Sequence, residues 1–407
     1  MGILASGVGV AKVIGFLTMP IITRIYSPAD FGILAVFTTA IVLIVPLSAL
    51  LYSITIPLPK TDGIAVNIVF LCSVLIFFIT GVLGVLFFLF GDSIFGFFNM
   101  EEIASYWWVL IIGIFAASFY ELMTHWATRV KAFAEVAKTK VWQASISAVL
   151  KIGLGLLGFK PLGLLIGDVG QRGGGVLSLV KAFFTKLKDN IIYVRFNRVK
   201  FLMRYYVDLP IYRLPSQFLL KLSSKIPVLY FAFQFGQEAT GQLGLSLSMV
   251  GLPMTLLGSS TGKAYYAEIA KVGHKRKEDI LSITKNVTKR LSLLGLVPTV
   301  ILVITAPFLF IIVFGSEWEQ AGVFTSILAF YLLVQFVTSP LVNVFTVFNK
   351  QSKFLEINIV RSMLMVLVFG ISYVYSIDVY QTLILYTIII SSHYIFTGYQ
   401  VFKVIKQ

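Results

Sequence analysis

The chain has 407 residues, of which 58 % are hydrophobic and only 13 % are charged. One soluble core cannot bury that much apolar surface, so the composition excludes a soluble globular protein and indicates that lipid is the main solvent. The single Cys72 excludes an internal disulfide and a cysteine metal site, and the net charge of +15 has a topological explanation given below.

Apolar runs of about 20 residues predict membrane-spanning helices, because a helix of that length crosses about 30 Å of hydrocarbon. The alternating pattern of an outer-membrane barrel is absent. In chain order, we predict spans at 2–22, 31–51, 66–90, 105–126, 141–158, 162–180, 209–233, 240–259, 291–314, 321–347, 354–374 and 379–401. The predicted fold class is an all-α integral membrane protein with about twelve transmembrane helices.

The loops between these spans carry a strongly unequal share of the basic residues. Alternate loops, counted with the C-terminal tail, hold 24 Lys and Arg residues, whereas the opposite set holds only Arg24 and Lys160. Short loops rich in Lys and Arg stay in the cytoplasm, so both termini are expected there. The net positive charge of the chain is therefore explained by its membrane topology, and no nucleic-acid partner is needed to explain it.

The two halves of the chain resemble one another. The segment "YSPADFGILAV" from Tyr26 matches "FGQEATGQLGL" from Phe235, which pairs Gly32 with Gly241 at an offset of 209. Six spans per half would give repeats of the same orientation, related by an axis along the membrane normal. We therefore predict two pseudo-symmetric six-helix bundles, residues 1–180 and 209–407, joined by a cytoplasmic linker at 181–208.

Seven basic residues fall inside predicted spans, against only two acidic ones, Glu121 and Asp168. A charge at the bilayer centre costs about 2.5 to 3.5 kcal/mol, so these cations should face a polar cavity rather than lipid. Asp168 and Arg172, four residues apart in the sixth span, are expected to pair with each other. The six candidate substrate-binding cations are Lys12, Lys151, Arg213, Lys221, Lys225 and Arg361.

The seventh span shows the geometry, because Arg213, Gln217, Lys221 and Lys225 recur every four residues along one helical stripe. Lys12 and Lys221, in the middle of equivalent first and seventh helices, are expected to face each other. A cationic cavity with so few acidic partners predicts an anionic substrate, such as the diphosphate of a polyprenyl-linked sugar. Snorkelling to the interface is the alternative explanation, most of all for Arg213 and Arg361.

Other chemistry has little support in the sequence. Glu121, four residues before His125, and Asp168 are candidate carboxylates for coupling to a proton or sodium gradient. No His/Glu metal spacing and no Walker-type phosphate loop is present, so neither a metal site, a bound cofactor nor ATP hydrolysis is expected. We predict no catalytic residues and no enzymatic activity.

Several segments resemble the Wzx-type oligosaccharide flippases of the polysaccharide transporter family, within the multidrug/oligosaccharidyl-lipid/polysaccharide exporter superfamily. They are "TRIYSPADFGILAVF", "IPLPKTDGIAVNI", "WATRVKAFAEVAKTKVWQASISAVLKIGLGLLG", "DLPIYRLPSQFLLKLSSKIPVLYFAFQFGQEATG" and "FGSEWEQAG". The resemblance implies alternating access between two bundles around a cationic cavity. It also implies a bacterial inner-membrane location, and movement of undecaprenyl-diphosphate-linked O-antigen or capsule repeat units. Further partners implied are membrane lipids, a polysaccharide polymerase and a chain-length regulator.

Two other functions remain open at this point. A cation-coupled multidrug exporter of the same superfamily would need an acidic cavity, whereas the excess charge here is positive. A membrane glycan polymerase or ligase would be expected to carry a large external catalytic loop. The longest predicted external loop, 91–104, is short and apolar.

The loop asymmetry generates a direct test of orientation. Alkaline phosphatase fused after Glu319 should be active, because that loop is predicted outside, and the same fusion after Lys277 should be inactive. Phosphatase activity in whole cells, normalised to fusion-protein level, measures this. The reverse pattern would overturn the orientation.

Overall fold

The structure, a computed structural model, describes residues 2–97, 101–273 and 276–407, and within those ranges all regular structure is helical. Lys275, one of the predicted loop cations, lies outside the described residues. The α-helices are α1 Gly2–Ile25, α2 Pro28–Ser48, α3 Asp62–Gly96, α4 Glu101–Ala104, α5 Trp107–Arg129, α6 Phe133–Leu156, α7 Leu162–Gly173, α8 Val176–Ile191, α9 Phe196–Tyr205, α10 Leu214–Val272, α11 Lys277–Phe314, α12 Glu319–Thr338, α13 Asn343–Val347, α14 Gln351–Val374 and α15 Val379–Lys406. Two 3-10 turns, Tyr52–Thr55 and Ser316–Trp318, and one π-helical turn, Leu209–Arg213, complete the regular structure of these ranges.

Local sequence signals explain where helices begin and break. The Ser27 hydroxyl accepts from the Asp30 N–H, and the Asp30 carboxylate accepts from the Ser27 N–H, so a capping box starts α2 just before Pro28. Gly236 interrupts α10 with φ of 78° and ψ of −173°, a conformation that favours glycine. The segment 214–272 is therefore two helices joined at a kink.

Eight helical segments in the described part of the chain are long and apolar enough to cross a membrane. They are Ser6–Ile25, Pro28–Ser48, Asp62–Gly96, Trp107–Arg129, Lys277–Phe314, Ser316–Val347, Gln351–Val374 and Val379–Lys406. The all-α membrane fold is thereby confirmed, while the count of twelve stays a prediction.

The predicted fifth, sixth and seventh spans are not among these segments, and the eighth, 240–259, includes residues whose side chains the structure does not describe. The fifth, sixth and seventh carry six of the nine charges that fall within predicted spans, and these charges lower their hydropathy. The predicted sixth span, 162–180, is also divided near Gly174 into α7 and α8.

The chain forms two compact units, residues 1–241 and 242–407. In the first, α1 packs on α6, α6 on α7, and α5 on both α3 and α7. In the second, α12 packs on α11 and α15, and α14 on α15. The first unit includes the first part of α10, and the predicted linker 181–208 stays a prediction. The organisation into two six-helix bundles stays a prediction.

One arginine holds the "IPLPKTDG" loop. The Arg129 side chain, at the end of α5, donates to the carbonyls of Ile56 at 3.2 Å and Pro59 at 2.6 Å and to the Asp62 carboxylate at 2.8 Å. These bonds satisfy carbonyl groups that no helix pairs, and they fix the approach of the chain to α3.

The two glycines paired by the internal repeat meet in space. A Cβ on Gly32 would collide with the Gln237 carbonyl oxygen, and a Cβ on Gly241 would collide with the Pro28 carbonyl oxygen. Since Gln237 is 209 residues after Pro28, the two contacts are equivalents of each other under the repeat. The backbones of α2 and the start of the second half of α10 are in direct contact here, and only glycine permits that approach.

Replacing Gly241 with Ala should therefore destabilise the protein by about 1 to 3 kcal/mol, because the added methyl meets backbone rather than a movable side chain. Gly81→Ala is the matched control, since nothing lies within 4 Å of its Cβ position and alanine is the better helix former. Thermal unfolding of the detergent-purified variants measures both effects. Equal melting temperatures for Gly241→Ala and wild type would contradict the contact.

Candidate functional site

Helix α6 carries a polar stripe through an otherwise apolar segment. Lys140, Gln143, Ser147 and Lys151 follow one another at spacings of three, four and four residues, which places them on one helical face. Lys151 is only 9 % exposed although it carries an ammonium group. The stripe therefore faces protein and not solvent over most of its length.

Helix α7 supplies the facing charges. The Arg172 Nε donates to the Asp168 carboxylate at 2.6 Å, so the predicted ion pair is present. Gln143 on α6 donates to the Arg172 carbonyl at 3.0 Å, and Ser147 donates to the Gln171 side-chain oxygen at 3.4 Å. The polar faces of α6 and α7 are thus joined to each other.

Close packing positions the Lys151 side chain. A Cβ on Gly167 would overlap the aliphatic part of the Lys151 side chain. Because glycine has no Cβ, there is room on α7 for that side chain to lie against the helix. The Tyr26 hydroxyl donates to the Lys151 carbonyl at 2.7 Å and ties the end of α1 to this turn of α6. The ammonium group is consequently held beside α7.

A third segment contributes Lys225, from the part of α10 before its kink. Lys225 and Lys151 both lie within electrostatic range of Asp168 and Arg172. Lys140 also interacts with Arg172, and its Nζ lies 4.4 Å from the centroid of the Tyr120 ring. We call Lys140, Lys151, Asp168, Arg172 and Lys225 the cationic cluster.

The charges of the cationic cluster do not balance. Asp168 neutralises Arg172, which leaves the three lysines without a carboxylate of their own inside the cluster. Each charge held in an apolar bundle costs several kcal/mol unless a counter-charge or hydrogen-bond acceptor meets it. The arrangement can therefore bind an anionic group, and several ammonium donors suit a phosphate or diphosphate better than a single carboxylate.

The other predicted site residues are placed as follows. Lys12 on α1 and Lys221 on α10 are partly exposed, and Arg213 is exposed at the end of the π-helical turn. Arg361 lies on α14 in the second unit. Their predicted role as substrate contacts stays a prediction.

The candidate coupling residue Glu121 has a side chain that is 44 % exposed. It lies 3.8 Å from the Nε2 of His125, one turn along α5. Within the described ranges, no group of three or more His, Cys, Asp or Glu side chains is placed to hold a metal ion.

Sequence reasoning missed Lys140, which it assigned to a cytoplasmic loop. The predicted fifth span began at residue 141, whereas α6 begins at Phe133, so Lys140 stands two turns inside the helix. The signal was present in the spacing of Gln143, Ser147 and Lys151, which continues back to Lys140.

Solved structures of transporters share this fold. The lipid II flippase MurJ in an inward closed conformation has a TM-score of 0.73 at 13 % identity, over 100 % of this chain and 88 % of that chain. The inward-facing conformation of a multidrug resistance MATE family transporter of the MOP superfamily has a TM-score of 0.67 at 16 % identity, over 99 % and 95 %. A MOP superfamily transporter from Pyrococcus furiosus has a TM-score of 0.62 at 16 % identity, over 100 % and 96 %. At these identities the likeness shows the fold alone.

Comparison with curated protein sequences gives no match. Residues 21–323, well over half of the chain, match the family described as polysaccharide biosynthesis protein. The family resemblance seen in the sequence segments is confirmed at that level. On this match the chain belongs to the polysaccharide biosynthesis protein family.

Proposed function

We propose that this protein is a flippase that moves undecaprenyl-diphosphate-linked oligosaccharides, such as O-antigen or capsule repeat units, across the bacterial inner membrane. The cationic cluster is the observation that carries the proposal. A membrane protein of polysaccharide biosynthesis that holds three unbalanced lysines among apolar helices needs an anionic ligand there. The diphosphate of a lipid-linked glycan supplies that charge, while its prenyl tail stays in lipid.

The cluster also suggests how substrate and ion are exchanged. An incoming diphosphate competes with Asp168 for Arg172, because both are anions that bind the same guanidinium. Released from Arg172, Asp168 becomes available to a proton or sodium ion. Lys12, Lys221 and Arg213 supply further contacts along the path of the substrate in this proposal, with Glu121 as the second candidate coupling carboxylate.

The proposal also includes the orientation of the protein and its partners. Both termini lie in the cytoplasm, and a polysaccharide polymerase and a chain-length regulator act on the exported product. Arg361 is left out of the substrate path, because it belongs to a separate polar cluster of the second unit.

A multidrug exporter is the second candidate, favoured by the likeness to the MATE family transporter. The sign of the charge argues against it, since a cationic drug needs carboxylates and the cluster holds one, already paired with Arg172. The fold of a transporter superfamily argues against a glycan polymerase or ligase.

Deleting the gene should cause a lipid-linked oligosaccharide to accumulate on the cytoplasmic leaflet while surface glycan falls, because synthesis continues and export stops. Mass spectrometry of extracted lipids, with surface glycan measured in parallel, identifies the substrate. Unchanged surface glycan with no accumulating lipid-linked sugar would refute the flippase proposal. Altered drug susceptibility alone would favour the exporter.

A charge series at Lys225 tests the cluster. Lys225→Gln should lower glycan export roughly tenfold or more, because a hydrogen bond to a charged group contributes about 1.5 to 3 kcal/mol. Lys225→Arg should retain more export, and Lys225→Glu should retain least. The readout is surface glycan in the deletion strain, normalised to the amount of variant protein in the membrane.

Lys138→Gln is the matched control for this series. Its side chain is 75 % exposed and pairs with Glu135 at 3.2 Å at the start of α6, outside the cluster, so export should be unchanged. If Lys225→Gln and Lys225→Glu export glycan as well as Lys138→Gln does, the cluster does not contact the substrate.

A further inference from the structure

Arg361 is a half-buried arginine of the second unit. It lies on α14, and its Nε is inaccessible to solvent and has no hydrogen-bond partner among the described residues. None of the ion pairs of the described residues includes Arg361. A buried donor of a charged group left unpaired is costly, and such groups in folded proteins normally bind a water or an ion.

The acidic residues of the second unit do not supply that partner. Glu356, the carboxylate nearest in sequence, is 60 % exposed and bonded to Lys353 at 2.8 Å. All of the unit's carboxylates stand in loops or near helix ends, at Glu268, Glu278, Asp279, Glu317, Glu319, Glu356 and Asp378. The positive charge of Arg361 therefore has no internal counter-charge.

Three tyrosines lie near this charge. The Arg361 guanidinium lies 5.7 Å from the centroid of the Tyr394 ring, and Tyr331 and Tyr386 are within electrostatic range. The Tyr394 hydroxyl accepts from Gln335 at 3.0 Å, so its own proton remains free to donate. The rings of Tyr331 and Tyr386 pack edge to face with their centroids 5.7 Å apart, and each hydroxyl can donate one hydrogen bond.

The Nε2 of His393 is not available to a ligand of this group. It donates to the Ile357 carbonyl at 3.0 Å, because a carbonyl oxygen can only accept. The donors available near Arg361 are thus its own Nε–H and tyrosine hydroxyls. Donors of this kind, together with one fixed positive charge, suit a small monovalent anion.

A cavity of the second unit lies next to this group. Gln335, which bonds Tyr394, also lines a cavity of about 470 Å³, together with Lys263 and Asn343. Lys263 is exposed, so the cavity carries positive charge at an accessible position. The cavity is thus separated from Tyr394 by the side chain of Gln335, which contacts both.

From this geometry we propose that the second unit binds a small monovalent anion, chloride being the obvious candidate, between Arg361 and the hydroxyls of Tyr331, Tyr386 and Tyr394. The anion balances Arg361 and allows α12, α14 and α15 to pack around it. The proposal does not rest on the flippase function, because it concerns a different cluster and a different ligand.

Thermal unfolding of the purified full-length protein tests the site, with sodium chloride compared with sodium gluconate at equal ionic strength. Chloride should raise the melting temperature of the wild type, and Arg361→Gln should lose most of that chloride-dependent rise. Tyr394→Phe, which removes one hydroxyl donor and keeps the ring, should weaken chloride binding by a few-fold to about tenfold. Lys353→Gln, on the exposed start of the same helix, should respond like the wild type.

Bromide provides a measurement that does not depend on the folding of any variant. Crystals of the wild type grown in bromide should give an anomalous peak at hydrogen-bond distance from the Arg361 Nε. A wild type that does not distinguish chloride from gluconate would overturn the proposal. So would a chloride response of full size in Arg361→Gln, or a bromide map without a peak at Arg361.

Discussion

A positive charge that water cannot reach has to be held by its neighbours, and this constraint organises the first unit. Lys151 is 9 % exposed. The ion pair of Asp168 and Arg172, whose carboxylate oxygen and Nε are 2.6 Å apart, lies within electrostatic range of Lys151. The charges can come together only where the helices approach closely, which Gly167 permits by leaving room for the Lys151 stem. The contact of α6 with α7 therefore brings the Lys151 ammonium within electrostatic range of the Asp168–Arg172 pair, and the single carboxylate leaves the cluster positive.

Hydropathy predicted the membrane fold because hydrocarbon demands long apolar helices, and the segment resemblance predicted the family that the sequence match then confirmed. The number of spans stays a prediction, because charges lower the hydropathy of the predicted fifth, sixth and seventh spans. Boundaries were the other weakness, because hydropathy detects the apolar part of a helix and not its polar start. That is why Lys140 was assigned to a loop. The contribution of Gln143 and Gly167 was not predictable, since both act through contacts between helices that one sequence does not reveal.

The internal repeat gains a physical meaning from the glycine contacts. When two copies of a segment meet around a twofold relation, each contact is made twice with the partners exchanged. Gly32 against Gln237 and Gly241 against Pro28 form such a pair at the offset of 209 residues. The sequence match between the two segments is short enough to arise by chance. The structure supports it, because both paired glycines are required by the same kind of close backbone contact. The sequence could suggest the pairing, but only the structure brings the two segments into contact.

The sign of the charge inside the helical units distinguishes a transporter of anions from a transporter of cations. A site for cations must place carboxylates inside the helices, and it would need no buried ammonium groups. The opposite holds in both units: Asp168 is bound to Arg172, and the carboxylates of the second unit stand in loops or near helix ends, away from the three tyrosines around Arg361. The positive clusters differ in size and donors, however. Several lysines on three helical segments match the spread charge of a diphosphate, whereas one guanidinium among phenolic hydroxyls matches a compact ion. In the two proposals made above, the excess of positive charge binds a different anion in each unit, and the helix packing decides which anion fits.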